Sequence, residues 1–214
     1  GCTTSLDLAD APKVVTLRFK TRLAEETTSI ANGALEIRTR DADGTKPRFL
    51  VIGGNKITIG DSQKALSTQW TTVEVILDME NFKAYYKFDD DQYHMVTDLN
   101  SANFGNLSEF NMYIAANKNV SGLYIDDLYA DLGGTPNVDP NSGSNTPGGD
   151  VPELPAFDGF YNNDFATGSV KIKGGKNYFV DAYGNELIDG SGKFRLATLS
   201  DGNVALEVIS DTNS

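Results

Sequence analysis

Apolar and polar residues alternate along much of the chain with a period of two. The alternation runs through residues 15–23, 35–38, 73–77, 82–88 and 110–114. A period of two is typical of a β-strand with one buried face and one face in water, as in antiparallel sheets. Short strands separated by closely spaced turn residues predict an all-β fold, an antiparallel β-sandwich of the jelly-roll type. A helical turn is indicated only at residues 62–67.

The chain divides at a segment that is poor in apolar residues. Residues 134–156 hold five of the seven prolines and predict a flexible linker. Residues 1–133 are predicted to form a β-sandwich module that lacks its N-terminal third. Alternation resumes after the linker, so residues 157–214 are predicted to begin a second, truncated β module. The sequence of residues 205–208 is similar to that of residues 5–8, and this short repeat favours a tandem array with covalently linked neighbouring domains.

Charge and cysteine content exclude several classes of partner and site. The net charge is -12, with 30 acidic and 18 basic residues, which disfavours nucleic acid and anionic membrane surfaces as partners. No apolar run approaches the ~18 residues of a membrane span, so no membrane insertion is expected. Cys2 is the only cysteine, which excludes an intrachain disulfide. Gly1-Cys2 could be the remnant of a bacterial lipoprotein cleavage site, but a plain fragment edge is the favoured interpretation.

Three stretches resemble known β modules. Residues 69–78, followed by residues 85–90, resemble the hairpin of laminin-G-like and other concanavalin A-like jelly rolls. Residues 122–128 are similar to the closing strand of carbohydrate-binding modules appended to polysaccharide-degrading enzymes, and residues 160–165 resemble the opening of such modules. The resemblance implies a jelly roll that binds a polysaccharide or glycan, in a secreted or cell-surface, multimodular bacterial protein.

A sugar platform is predicted on the polar face of the strands. Tyrosine rings stack on sugars, and planar polar groups hydrogen-bond to hydroxyl groups. Trp70, the only tryptophan, is expected either to pack in the structure or to contact the ligand. The alternative is that these residues lie on a solvated sheet face with scattered aromatic side chains and form no binding site. The predicted ligand-binding residues are Tyr85, Tyr113, Asn111, Trp70, Arg18, Arg38 and Glu74.

Asp126 and Asp127 are the candidate metal ligands. In the similar modules an aspartate at this position often holds a structural calcium ion, and carboxylate oxygens suit that cation. A turn or a salt-bridged strand edge explains the same pair without a metal. No other cofactor is expected.

Catalytic machinery is not expected. Residues 76–80 resemble the Glu-x-Asp-x-Glu signature of laminarinase-like glycosidases, but Ile76 stands where the nucleophile belongs, and such enzymes need two carboxylates. The sequence therefore predicts non-catalytic carbohydrate binding that targets an attached enzyme to polysaccharide. The alternative is an adhesive or structural spacer of the same fold, with a protein partner or no ligand.

Overall fold

A computed structural model describes residues 2–7, 14–40, 48–60, 62–89, 92–96, 109–115, 117–131 and 161–210. The strands before the linker are β1 (Cys2–Asp7), β2 (Val14–Leu23), β3 (Leu35–Arg40), β4 (Arg48–Gly53), β5 (Lys56–Ile59), β6 (Ser62–Ala65), β7 (Thr71–Asp78), β8 (Lys83–Phe88), β9 (His94–Val96), β10 (Glu109–Ile114) and β11 (Leu123–Asp131). Those after it are β12 (Tyr161–Asn163), β13 (Ser169–Lys173), β14 (Lys176–Val180), β15 (Glu186–Asp189), β16 (Phe194–Thr198) and β17 (Val204–Val208).

The strands pair in antiparallel sheets. One sheet has eight strands in the order β16-β17-β11-β2-β7-β8-β9, with β12 also paired to β11. Five strands follow the order β10-β3-β4-β5-β6, and three follow β13-β14-β15. Strand β1 pairs with both β10 and β15 and joins these two groups into one order. The predicted all-β, antiparallel character is confirmed.

The core is built from the apolar positions of the alternating runs. In β2 the side chains of Val15, Leu17, Phe19 and Leu23 are buried, and Phe19 is fully enclosed. They meet buried residues of the other group of strands, such as Leu35, in one hydrophobic cluster. This burial fixes the register, because a slip by one residue would move the whole apolar set to the wet face.

The residues after the linker join the same core. Tyr161, Phe165, Phe179 and Phe194 belong to the cluster that contains Phe19. Strands β12 and β17 pair with β11, and β15 pairs with β1. In the described residues the linker is therefore not a boundary between two separate cores. The predicted tandem array in a longer protein stays a prediction.

Two local expectations differ from the structure. The expected helical turn at residues 62–67 is wrong, because β6 pairs with β5 in an antiparallel hairpin. Phe82, which has the parity of a core residue, lies in the turn before β8 with a φ of 56° and is 41% exposed. The turn breaks the alternation there and points the ring into solvent.

Across the described ranges, no α-helix has the length and apolarity to span a bilayer.

Candidate functional site

The eight-stranded sheet has one face on the core, and we call the opposite side the outer face. A straight row of side chains crosses five of its strands there. Direct register partners link each member to the next, from β8 through β7, β2 and β11 to β12. We call this set the Arg18 row: Lys87, Glu74, Arg18, Tyr129 and Asn162.

Charge and aromatic contacts hold the Arg18 row together. The Arg18 guanidinium lies 4.8 Å from the centre of the Tyr129 ring, and its Nη1 is 3.6 Å from Glu74 Oε2. Tyr93 donates its hydroxyl hydrogen to Glu74 Oε1, and the Lys87 ammonium lies 4.7 Å from the centre of the Tyr93 ring. Cation–π contacts of this kind contribute about 0.5–1 kcal/mol each when exposed. The row is therefore oriented before any ligand arrives.

The hydroxyl groups of Tyr129 and Tyr93 remain protonated donors. Burial raises the pKa of the Tyr129 hydroxyl, and the acceptor Asp131 raises it further. The Tyr129 hydroxyl donates to Asp131 Oδ2 at 2.7 Å. Burial likewise raises the pKa of Tyr93, with Glu74 as the second cause. These bonds hold both side chains in place.

A β-bulge in β11 opens a cavity beside the Arg18 row. The register between β11 and β2 shifts between Asp126 and Tyr129, and Asp127 adopts a left-handed φ of 47°, a conformation that Asp tolerates better than most residues. The extra residue aims Asp127 at Lys20, with Nζ and Oδ2 2.6 Å apart. Bulges often re-aim side chains next to functional sites.

The cavity is small and mainly polar. Its volume is about 380 Å³, near the lower end of the ~300–1,000 Å³ range of small-molecule sites. The hydrogen bond with Asp127 raises the pKa of Lys20, so its ammonium stays charged. The wall carries both donors and acceptors. The side chains that give the wall its polar and aromatic character are Arg18, Lys20, Thr72, Asp127, Tyr129 and Asn162.

A second row runs parallel to the first. Register partners link Arg22, Tyr124, Glu207 and Arg195 across β2, β11, β17 and β16. The Arg22 guanidinium lies 5.0 Å from the Trp70 ring centre and 5.4 Å from the Tyr124 ring centre. Arg195 Nε donates to Glu207 Oε2 at 2.7 Å. The outer face is thus covered by paired cations and aromatic rings.

The structure brings four of the predicted ligand-binding residues to the outer face, and only one of them, Arg18, lines the cavity. Arg18 and Glu74 belong to the Arg18 row. Trp70 is half-buried beneath Arg22, so it packs and is also partly exposed. Tyr85 lies on the same face, but the expected exposure is wrong, because it is only 7% exposed. It packs in a small cluster with Val14, Ile76 and Tyr93.

The other three predicted residues do not lie on this face. Asn111 and Tyr113 are on β10 and Arg38 is on β3, in the other group of strands. The expectation that they share a platform with Arg18 and Glu74 is therefore wrong. Sequence parity assigns a residue to one side of its own strand, but it does not say which strands share a sheet. Asn111 is also 6% exposed, while Tyr113 is half-buried.

The two predicted calcium ligands are occupied by hydrogen-bond donors. Asp126 Oδ2 accepts from Asn203 Nδ2 at 2.7 Å, and Asp126 Oδ1 accepts from the Asp127 backbone N–H. Burial raises the pKa of Asp126, and Asp127 pairs with Lys20. Across the part of the chain that the structure describes, no three His, Cys, Asp or Glu side chains group as metal ligands. This arrangement does not fit a calcium ion, because Asn203, the Asp127 backbone N–H and Lys20 already hold the two carboxylates.

The glycosidase-like stretch has a structural role. Asp78 ends β7 and caps the following turn, accepting bonds from the backbone N–H groups of Glu80 and Asn81 and from Asn81 Nδ2. Ile76, at the position of the nucleophile, packs in the small apolar cluster of the outer face.

Sequence reasoning missed Tyr129, Asn162 and Tyr93. Parity along β11 could have found Tyr129 only if the bulge had been recognised, since the two-residue period breaks there. Asn162 lies beyond the linker, and nothing in the sequence says that β12 returns to β11. With the geometry established, the chain can be compared with known proteins. No family model matches it, and no curated protein is significantly similar.

Proposed function

We propose that the chain is a non-catalytic carbohydrate-binding module and that the ligand occupies the cavity beside the Arg18 row. Its setting would be a secreted or cell-surface, multimodular protein in which the module holds an attached enzyme close to a polysaccharide. The fold would be a β-sandwich related to the concanavalin A-like jelly rolls. The observation that carries the proposal is the polar cavity on an open sheet face.

The donor and acceptor content of the cavity suits a neutral, hydroxyl-rich ligand. Arg18 and Lys20 donate, Asp127 accepts, and Thr72 and Asn162 do both. Lys20 is paired with Asp127 and Arg18 lies beside Glu74, so the local charge is close to balanced. A sugar offers hydroxyl groups that act as donor and acceptor at once, which matches such a wall.

Hydrogen bonding, more than ring stacking, would provide the recognition. Tyr129 is only 8% exposed, and the Arg18 guanidinium covers its ring. Among the residues that the structure describes, two buried polar atoms of this face, Arg22 Nε and Asp131 Oδ1, have no hydrogen-bond partner. Such unpaired groups cost about 1–3 kcal/mol each, and functional sites are one of the places where they are tolerated.

The experiment is affinity electrophoresis and calorimetry with a panel of soluble neutral and acidic polysaccharides. Asn162→Ala removes a cavity side chain but keeps the backbone N–H that donates to Asp181. We expect at least about a tenfold loss of affinity, which corresponds to ~1.4 kcal/mol. Arg18→Ala should have a similar or larger effect.

Two matched controls make the result specific. Asn177→Ala changes a half-buried asparagine of β14 in another sheet, and Arg195→Ala breaks an Arg–Glu pair at the edge of the outer face. Both should bind like the unmodified protein. Failure to bind any member of the panel would favour the spacer. Equal losses in Asn162→Ala and Asn177→Ala would refute the site.

A further inference from the structure

Strands β11 and β12 are neighbours in space but far apart in the chain. Ala130 pairs directly with Tyr161, so the end of β11 lies beside the start of β12. Adjacent antiparallel strands are usually joined by two to five residues. Here about 30 residues, 132–160, lie between the two strands in the sequence, where a few would suffice.

Most strands of residues 161–210 pair locally, in two groups that belong to different sheets, while β12 pairs only with β11. Strands β13, β14 and β15 form consecutive hairpins, and β16 pairs with β17. Within the described ranges, residues 161–210 pair with the preceding strands only through β11 and β1. The segment can therefore leave or join the rest of the fold without breaking its own hairpins.

The contact that the segment makes with the rest of the fold is nevertheless deep. Tyr161, Phe165, Phe179 and Phe194 are among the largest fully buried side chains of the chain. An aromatic side chain buries about 150–250 Å², so a fold without this segment would expose a large apolar area. Docking of a segment on β11 is therefore strongly favoured, whether it is the chain's own segment or the identical segment of a second copy.

We propose that segment 161–210 is exchangeable between copies of this chain. It would dock on β11 and β1 of a second copy through the same register and the same core contacts, giving a strand-swapped dimer. No new contact is needed, which is why swapping is a low-cost route to dimers. About 30 residues span up to about 100 Å when fully extended, so the length of the connection does not restrict the segment to its own chain.

Mass action sets the concentration at which the swapped form appears. The linker predicted from the sequence would hold the segment near its own acceptor at an effective concentration of about 1 mM. At micromolar protein the closed monomer therefore dominates, and refolding at about millimolar chain concentration should give comparable amounts of both forms.

The test uses full-length chains that carry one cysteine each, with Cys2→Ser as background. Tyr124 on β11 and Glu207 on β17 are direct register partners. Opposed residues of antiparallel strands have Cα atoms about 4.5–5.5 Å apart, which a disulfide can bridge. Tyr124→Cys and Glu207→Cys chains are mixed, unfolded, refolded at about 1 mM and oxidised. We expect a covalent heterodimer, with the 124–207 disulfide found by peptide mapping.

Three comparisons decide the outcome. A Tyr124→Cys chain mixed with a Tyr183→Cys chain measures random collision, because Tyr183 is 65% exposed and outside the β11 pairing. Deleting residues 137–155 shortens the connection about threefold and should lower the ratio of heterodimer to closed monomer roughly fivefold, by the −3/2 power law for linkers. The double variant, with both cysteines in one chain, should close its own disulfide at micromolar concentration.

The proposal is overturned if the 124–207 yield equals the collision control, or if it does not rise with protein concentration. Failure of the double variant to close its own disulfide would also overturn it, because the β11–β17 register would then be incorrect. None of these results depends on sugar binding.

Discussion

Phe194→Ala should destabilise the whole fold, including strands that are distant in sequence. Phe194 is 1% exposed and belongs to the cluster that also contains Phe19. Replacing a buried phenylalanine by alanine costs about 3–5 kcal/mol through lost burial and the cavity left behind. For a domain of this size each kcal/mol lowers Tm by about 2–4 °C, so a decrease of about 6–20 °C is expected.

Trp70 provides the assay, because it is the only tryptophan and lies before the linker. It is half-buried next to Arg22, so its emission should change when the eight-stranded sheet unfolds. If the two segments share one core, the Trp70 transition in urea or on heating must shift by the full amount in Phe194→Ala. Far-UV circular dichroism should report the same midpoint.

Ile172→Ala is the matched control in the same segment. Ile172 is 74% exposed, so its truncation should change stability by less than about 1 kcal/mol. The reasoning is refuted if Phe194→Ala leaves the Trp70 midpoint unchanged while circular dichroism reveals an earlier, separate transition. That result would mean that residues 161–210 unfold as an independent module.

Three further predictions concern turns and caps. Asp189 is fully buried and accepts four hydrogen bonds, from Ser191 N and Oγ, Gly192 N and Phe194 N; Asp189→Ala should cost about 2–4 kcal/mol in urea denaturation, and a loss below ~1 kcal/mol would contradict this. A Cβ at Gly53 would overlap Gly33 N and lie 2.5 Å from Ala31 O, so Gly53→Ala should lower stability by about 1–3 kcal/mol, measured as a lower Tm. The Thr167 backbone N–H donates to Asp164 and lowers the pKa of the Asp164 carboxyl from 3.8. The stability that this carboxylate contributes is therefore present above pH 3.8 and is lost as the pH falls through the lowered pKa. A pKa of Asp164 at or above 3.8, measured by NMR titration, would contradict this.

Much of the secondary structure follows from the sequence alone. The alternation in β2 and β7 reflects a physical requirement, since one face must be buried and the other hydrated, and it therefore gives both strand and face. The same requirement places Arg18 and Glu74 on the polar side of their strands. The predicted platform failed at Tyr113 and Arg38 because their strands lie in the other group of strands.

For the candidate site too, the sequence predicts some features and only the tertiary structure determines the others. The sequence alone shows the acidic composition, the single cysteine and the two-residue period, because none of them depends on how distant segments pair. The cavity depends on the bulge at Asp127, which breaks that period, and on Asn162, which reaches β11 only after the chain has crossed a long proline-rich segment. Strand pairing between distant segments is decided by which apolar surfaces bury each other, a property of the assembled core that no local pattern encodes.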